Sequence, residues 1–169
     1  MPNIVMSFIR LKKRVTKTKE NYYAYLVSNK WYKNLPKQKV SQYLGRYHKL
    51  MPKQTNIELP KHKNILISLI KKELLHHNFK EKSSNFFFHP EGFLINLKTY
   101  KVLNSQKNPV CLGLNQGYFC TYTLKNLSKF KKTKNKKQAS KTIIRLLLEI
   151  GITPNKDQFE EVLKNLDIF

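Results

Sequence analysis

Few side chains in this sequence could do acid–base, nucleophilic or metal chemistry: five His, two Cys, and 10 Asp and Glu among 169 residues. His89 precedes Pro90 and Glu91, and histidine with lysine and tyrosine suffices for metal-free RNA cleavage, so a metal-independent ribonuclease centred on His89 is one reading of this segment. Against it, Lys and Tyr are so abundant here that any His has both nearby by chance. His76 and His77 are adjacent, about 100° apart on a helix, which predicts ordinary helix-end residues rather than two ligands of one metal. Cys111 and Cys120, separated by eight residues, suit neither a disulfide framework nor paired C-x-x-C zinc ligands, and read as reduced core residues. Asp157, Glu160 and Glu161 fall on one predicted helix, where they balance charge rather than hold two metals. Five Gly spread along the chain build neither a phosphate-cradling loop nor a nucleophile elbow. The expectation is no catalytic site, no cofactor and no metal.

What the chain has in excess is positive charge. Lys and Arg number 33, for a formal net charge of +23, which repels itself in a compact state unless a polyanion is near. Each phosphate neutralised by Lys or Arg releases condensed counterions, so nucleic acid is the polyanion expected first, ahead of an anionic membrane or an acidic protein. Hydrophobic residues at 40%, 20 aromatics among them, exclude the composition of a disordered tail. No run approaches the ~18 apolar residues of a spanning helix, and the first residues are too charged for a signal peptide, so the expected location is the cytoplasm.

The charge is uneven. Residues 1–53 carry 13 Lys and Arg against Glu20 alone, and residues 125–141 carry eight Lys and no acid. Residues 142–169 reverse the sign, with Glu149, Asp157, Glu160, Glu161 and Asp167 facing Arg145, Lys156 and Lys164; this tail reads as structural or protein-facing. Candidate nucleic-acid contacts in the first block are Arg10, Lys12, Lys13, Arg14, Lys33, Lys37, Lys39 and Arg46, with Tyr23 and Trp31 as stacking rings. In the second they are Lys131, Lys132, Lys134, Lys136 and Lys137, within a predicted loop over 129–141 that equally fits a solvated linker.

These residues need elements to hold them. From Ser7 to Val15, Ile9, Leu11 and Val15 alternate with Arg10, Lys12 and Arg14, the pattern of a half-buried strand. Asn21 to Tyr32 and Lys37 to Leu44 complete a predicted three-stranded antiparallel meander, with a turn at Lys33-Asn34-Leu35-Pro36 and Gly45 expected to end the last strand. Six of nine Tyr and the only Trp lie in residues 1–53 among Lys and Arg, a composition that stacks unpaired bases while holding phosphates. Tyr23, Tyr25 and Trp31 could equally be the packed face of a small sheet.

The run Tyr23-Ala24-Tyr25-Leu26-Val27-Ser28-Asn29-Lys30-Trp31, with Pro36-Lys37-Gln38-Lys39-Val40 and Tyr43-Leu44-Gly45-Arg46, resembles the N-terminal β-rich segment of DDE insertion-sequence transposases and small basic archaeal proteins. The resemblance covers residues 7–46. It implies a nucleic-acid-binding arm and nothing about transposition, since the remaining residues are too few for a catalytic domain with three separated carboxylates.

Beyond it, Pro60 is placed at the first turn of a helix running through Asn78 on Leu66, Ile67, Leu69, Ile70, Leu74 and Leu75. Phe93 to Leu97 and Val110, Leu112 and Leu114 predict a small second sheet. Cys120, Leu124 and Leu127 mark a helix, Ser140 to Ile150 a second, and the segment after Thr153-Pro154 a third that folds back as a helical hairpin. The fold class is α+β in two modules, 1–53 and 54–169. The function expected is a non-catalytic RNA-binding protein, with the ribosome or another ribonucleoprotein as its candidate host and a DNA-binding protein akin to a transposase arm as the alternative.

Overall fold

A computed structural model describes residues 7–32 and 35–166. The chain opens with the expected meander: β1 (Ser7–Val15), β2 (Glu20–Tyr32) and β3 (Leu35–Lys49). β1 pairs antiparallel with β2, Arg10 opposite Tyr25 and Lys12 opposite Tyr23, and β2 pairs antiparallel with β3. β1 reaches only to Ser28 of β2. Among the described residues β2 and β3 pair on past Ser28, with Trp31 opposite Pro36.

Gly45 does not end β3. The strand runs on to Lys49, and Arg46 to Lys49 pair in parallel with Val110 to Gly113. Gly45 instead lets the two segments come together: its φ is +124°, and a Cβ there would lie 2.4 Å from the Pro109 carbonyl oxygen. Only glycine tolerates both conditions.

After β3 the chain runs through an irregular connector containing Pro60 to α1 (Ile65–His76), capped by Asn64, whose side chain accepts from the Leu66 amide. The helix thus starts after Pro60, because an N-cap side chain is available there and Pro60 is not needed at the first turn. A four-stranded antiparallel sheet follows: β4 (Lys80–Ser83), β5 (Phe86–Phe88), β6 (Phe93–Asn96) and β7 (Lys101–Asn104). β4 has no apolar residue and β7 one fully buried side chain, Val102, so neither carries an alternating pattern. Lys71 of α1 is pinned to this sheet, its Nζ 2.6 Å from Glu81 of β4 and over the Phe87 ring.

The expected pairing of residues 93–97 with 110–114 in one sheet is not found. β8 (Val110–Leu114) lies beside β3 instead, and β9 (Gly117–Phe119) turns back against it, so the first sheet has five strands in the order β1-β2-β3-β8-β9. The reason is burial: all five residues of β8 are buried, as befits a strand between two neighbours and covered on both faces.

Among the described residues three helices follow: α2 (Thr121–Ser128), α3 (Lys136–Glu149) and α4 (Lys156–Asn165). α3 starts at Lys136, earlier than expected, because Asn135 caps it by accepting from the Gln138 amide; Ser140 lies inside, bonded to the Lys136 carbonyl. The predicted lysine loop is therefore partly helical. α4, capped by Asn155, packs chiefly on α1, whereas α3 packs on α2 and β9. Val162 and Leu163 of α4 join the main core together with Ile143, Leu146 and Leu147 of α3. That core joins α1, the second sheet, β8 and the C-terminal helices; a smaller cluster of Ala24, Leu26, Leu44, Cys111 and Cys120 lies under the N-terminal sheet. No helix among the described residues is long and apolar enough to cross a membrane.

Replacing Gly45 by alanine meets both the positive φ and the Pro109 backbone. A loss of about 2–4 kcal/mol is expected, combining backbone strain with overpacking, measured by urea unfolding. A change within about 0.5 kcal/mol would mean that the β3–β8 approach is not tight.

Candidate nucleic-acid interface

The meander has two dissimilar faces, because directly paired residues of neighbouring strands share a side. Ile9 and Leu11 of β1, with Ala24, Leu26 and Leu44, pack inward against Cys111, Cys120, Tyr47, Tyr118 and Tyr122. Arg10, Lys12 and Arg14 point the other way, across from Tyr25, Tyr23 and Asn21 of β2, and Tyr25 and Tyr23 in turn face Tyr43 and Arg46 of β3.

On that outward face cations and rings interleave. Lys12 Nζ is 5.0 Å from the centre of the Tyr25 ring, and the Arg14 guanidinium 5.3 Å from that of Tyr23. Tyr43 lies 5.3 Å from Tyr25 and 6.4 Å from Tyr23, tilted against both. Burial among these rings, then the neighbouring phenols, keeps the Tyr43 hydroxyl protonated to higher pH than an ordinary tyrosine. Arg10 and Arg46 donate to the side-chain oxygens of Gln38 and Asn21, which are neutral amides. Glu20, the only acid in residues 1–53, is held 2.6 Å from Lys13, and Lys13 alternates away from Arg10, Lys12 and Arg14. Hydrogen bonding to Glu20 raises the Lys13 pKa and lowers that of Glu20. Lys13, another candidate contact, is thus set apart from the face that carries Arg10, Lys12 and Arg14.

Trp31 is 72% exposed on β2, so it is not a packed residue. Lys37 and Lys39 of the facing strand are exposed too. Lys33 lies outside the described residues. In the second locus Lys131, Lys132, Lys134, Lys136 and Lys137 are all exposed. Lys131 also lines a cleft of about 950 Å³ between the start of β1, at Ser7 and Phe8, and Tyr122, Phe130 and Arg145 of the helical layer. The structure therefore gathers Arg10, Lys12, Arg14, Tyr23 and Arg46 on one surface and sets Lys131 beside the start of the same strand. Tyr25 and Tyr43 belong to that surface as well. The alternation of β2 marks Tyr25; Tyr43 is obscured by register shifts between Ala24 and Tyr25 and between Leu26 and Val27.

His89 is 4% exposed, packed against Phe79 and Phe93, and its Nδ1 accepts from the Glu91 amide. Burial is the main cause holding its pKa below the ordinary imidazole value. A buried, hydrogen-bonded ring is not placed to take a proton from a strand bound outside.

His76 and His77, expected to diverge, both meet Glu73. Their Nδ1 atoms are 3.6 and 3.1 Å from Glu73 Oε1, and one ligating atom from each of the three residues lies within 4.8 Å of the others. Against the sequence expectation of no third ligand at suitable spacing, spacings of three and four residues put both histidines on the face of Glu73. The same Oε1 accepts from Asn115 Nδ2 at 2.7 Å, and that nitrogen also reaches the Gly151 carbonyl. The group ties the end of α1 to the β8–β9 turn and the end of α3.

No protein-family model, curated protein or solved structure matches the chain.

Besides the exposed Glu20, three groups with some burial make stability fall with acid. Burial lowers the pKa of His48 and His89. Burial alone would raise Glu73, but hydrogen bonds from His77 and Asn115 outweigh it and the net shift is downward. A group whose folded pKa is depressed binds more protons unfolded, so its contribution is present above the unfolded value and lost as pH falls through the folded one. Urea midpoints are expected to decline below about pH 6.5 as the histidines of the unfolded chain protonate, and to decline again below about 4.3. His89→Phe should flatten the first decline; a midpoint that rises between about pH 7 and pH 5 would contradict the assignment.

Proposed function

We propose that this is a non-catalytic nucleic-acid-binding protein that holds single-stranded or looped RNA across the outward face of β1, β2 and β3. The observation that carries this reading is the array of Arg10, Lys12, Arg14 and Arg46 around Tyr23, Tyr25 and Tyr43, on strands whose only acid is paired with Lys13. Cations aligned on one strand face have no role in packing a core, and a phosphate chain would neutralise them together. Tyrosine rings next to them offer surfaces for bases, which must be unstacked to use them. That favours RNA loops and single strands over duplex DNA, whose grooves are read mainly by hydrogen bonds.

The start of α3 supports a second phosphate contact. No acid lies in its first turn, while Lys136 and Lys137 sit there and Lys134 precedes them. Cations at the positive end of a helix repel it, and an anion relieves both. A protein with two such loci and an acidic last helix fits a place in a ribosome or another ribonucleoprotein, with α4 turned to protein.

Affinity for a single-stranded oligonucleotide should fall linearly with log salt. Replacing Arg10, Lys12 and Arg14 together with Ala should cut that slope by about 2, at about 0.7 for each phosphate no longer neutralised. Tyr23→Ala or Tyr43→Ala should cost about 1–3 kcal/mol for single strands and far less for duplex of the same sequence. Fluorescence anisotropy across salt measures both. A slope unchanged in the triple variant, or preference for duplex DNA over RNA of equal length, would overturn the reading.

A further inference from the structure

Cys111 and Cys120 meet across the β8–β9 hairpin. Its ladder pairs Leu114 with Gly117, Gly113 with Tyr118 and Leu112 with Phe119, so the next rung opposes Cys111 to Cys120. Cys120 is extended, at φ −147° and ψ 172°, and continues the strand by one residue before α2 begins. Asn115 and Gln116 alone form the connection, which makes Leu114–Gly117 a hydrogen-bonded rung; bonded and open rungs then alternate, and the cysteine rung is open. The backbone agrees. The Cys120 amide donates to Thr123 Oγ1 at 3.1 Å and its carbonyl accepts from the Leu124 amide, so neither is spent on Cys111. Open rungs bring Cα atoms to about 4.5 Å, inside the roughly 4.4–6.8 Å that a disulfide spans.

We propose that Cys111 and Cys120 form a reversible dithiol–disulfide pair, with a small hydroperoxide as the oxidant. Both residues are fully buried in the same apolar cluster and are free thiols. Cys120 is the attacking sulfur. A hydrogen bond from the Cys111 thiol holds its pKa below the ordinary thiol value against the opposing effect of burial, and the amides of Thr123 and Tyr122 at the start of α2 help. Cys111 is pushed the other way and stays protonated. The Cys120 thiolate takes the terminal oxygen of the hydroperoxide, becoming a sulfenic acid; the O–O bond breaks and the departing alkoxide or hydroxide takes up a proton. The Cys111 sulfur then attacks the Cys120 sulfur, the S–S bond forms, and the sulfenic hydroxyl leaves with the Cys111 proton as water. Two thiols are oxidised by two electrons and one peroxide is reduced. The bond would clamp β8 to the start of α2 under the apolar face of the meander, and the proposal holds whatever the opposite face binds.

The test uses the full chain, folded, exposed to hydrogen peroxide, then alkylated in denaturant and digested with trypsin. Both cysteines fall in one peptide, residues 108–125, which contains no methionine to confuse the mass. The expected product is this peptide lighter by two hydrogens and carrying no alkyl group, restored by dithiothreitol and absent from Cys111→Ser. If the serine variant does not fold by circular dichroism, Cys111→Ala serves in its place. Two outcomes would overturn the proposal: a folded chain keeping both alkylatable thiols at a dose that closes the bond in urea-unfolded chain, or oxygen added to Cys120 with no loss of hydrogens.

Discussion

β3 must satisfy two neighbours at once, and the rest of the structure follows from how it does so. Along most of its length it bonds β2, and over Arg46 to Lys49 it also bonds β8. Gly45 sits where the second partnership begins, with the Pro109 backbone in the space a side chain would take. Joining the basic meander to a wholly buried strand forces one face of the sheet inward, over Cys111, Cys120 and Leu44. The other face is left with its cations and tyrosines.

That outward face is a compromise between self-repulsion and order. Like charges two residues apart on β1 destabilise the sheet, yet each finds a weak local partner: a ring under Lys12 and Arg14, a neutral amide for Arg10 and Arg46. Cation–π contacts at exposed sites are worth about 0.5–1 kcal/mol, enough to orient the side chains and too little to neutralise them. Carboxylates would neutralise them, and residues 1–53 contain only one. A face ordered in this way keeps its full attraction for a polyanion. Elsewhere the chain does bury polar groups, and there they join elements, as Glu73 does with His77 and Asn115.

Much of this is legible in the residues. The alternation of Ile9 and Leu11 with Arg10, Lys12 and Arg14 determines both the strand and its two faces, because a period of two leaves no other assignment. Leu66 to Leu75 mark α1 for the same kind of reason. What escapes are features set by long-range partners or by a single cap: β8 pairing with β3, β4 held by its ladder without an apolar residue, α3 beginning at Lys136 under the Asn135 cap inside the Lys-rich stretch, and Tyr43 carried onto the cationic face by register shifts. The meeting of His76 and His77 at Glu73 is within reach of the sequence, since it needs only the spacing to a third residue. Lys13 alternates away from Arg14 in the sequence itself, and a count of charges conceals it.

Whether the proposed face of β1, β2 and β3 meets RNA is tested by backbone and side-chain NMR shifts on titration with a single-stranded oligouridine. Perturbations should concentrate at Arg10, Lys12, Arg14, Tyr23, Tyr25, Tyr43 and Arg46, with Ile9, Leu11 and Leu26 on the reverse side little changed. Shifts spread over the whole surface, or gathered on residues remote from these strands, would contradict it.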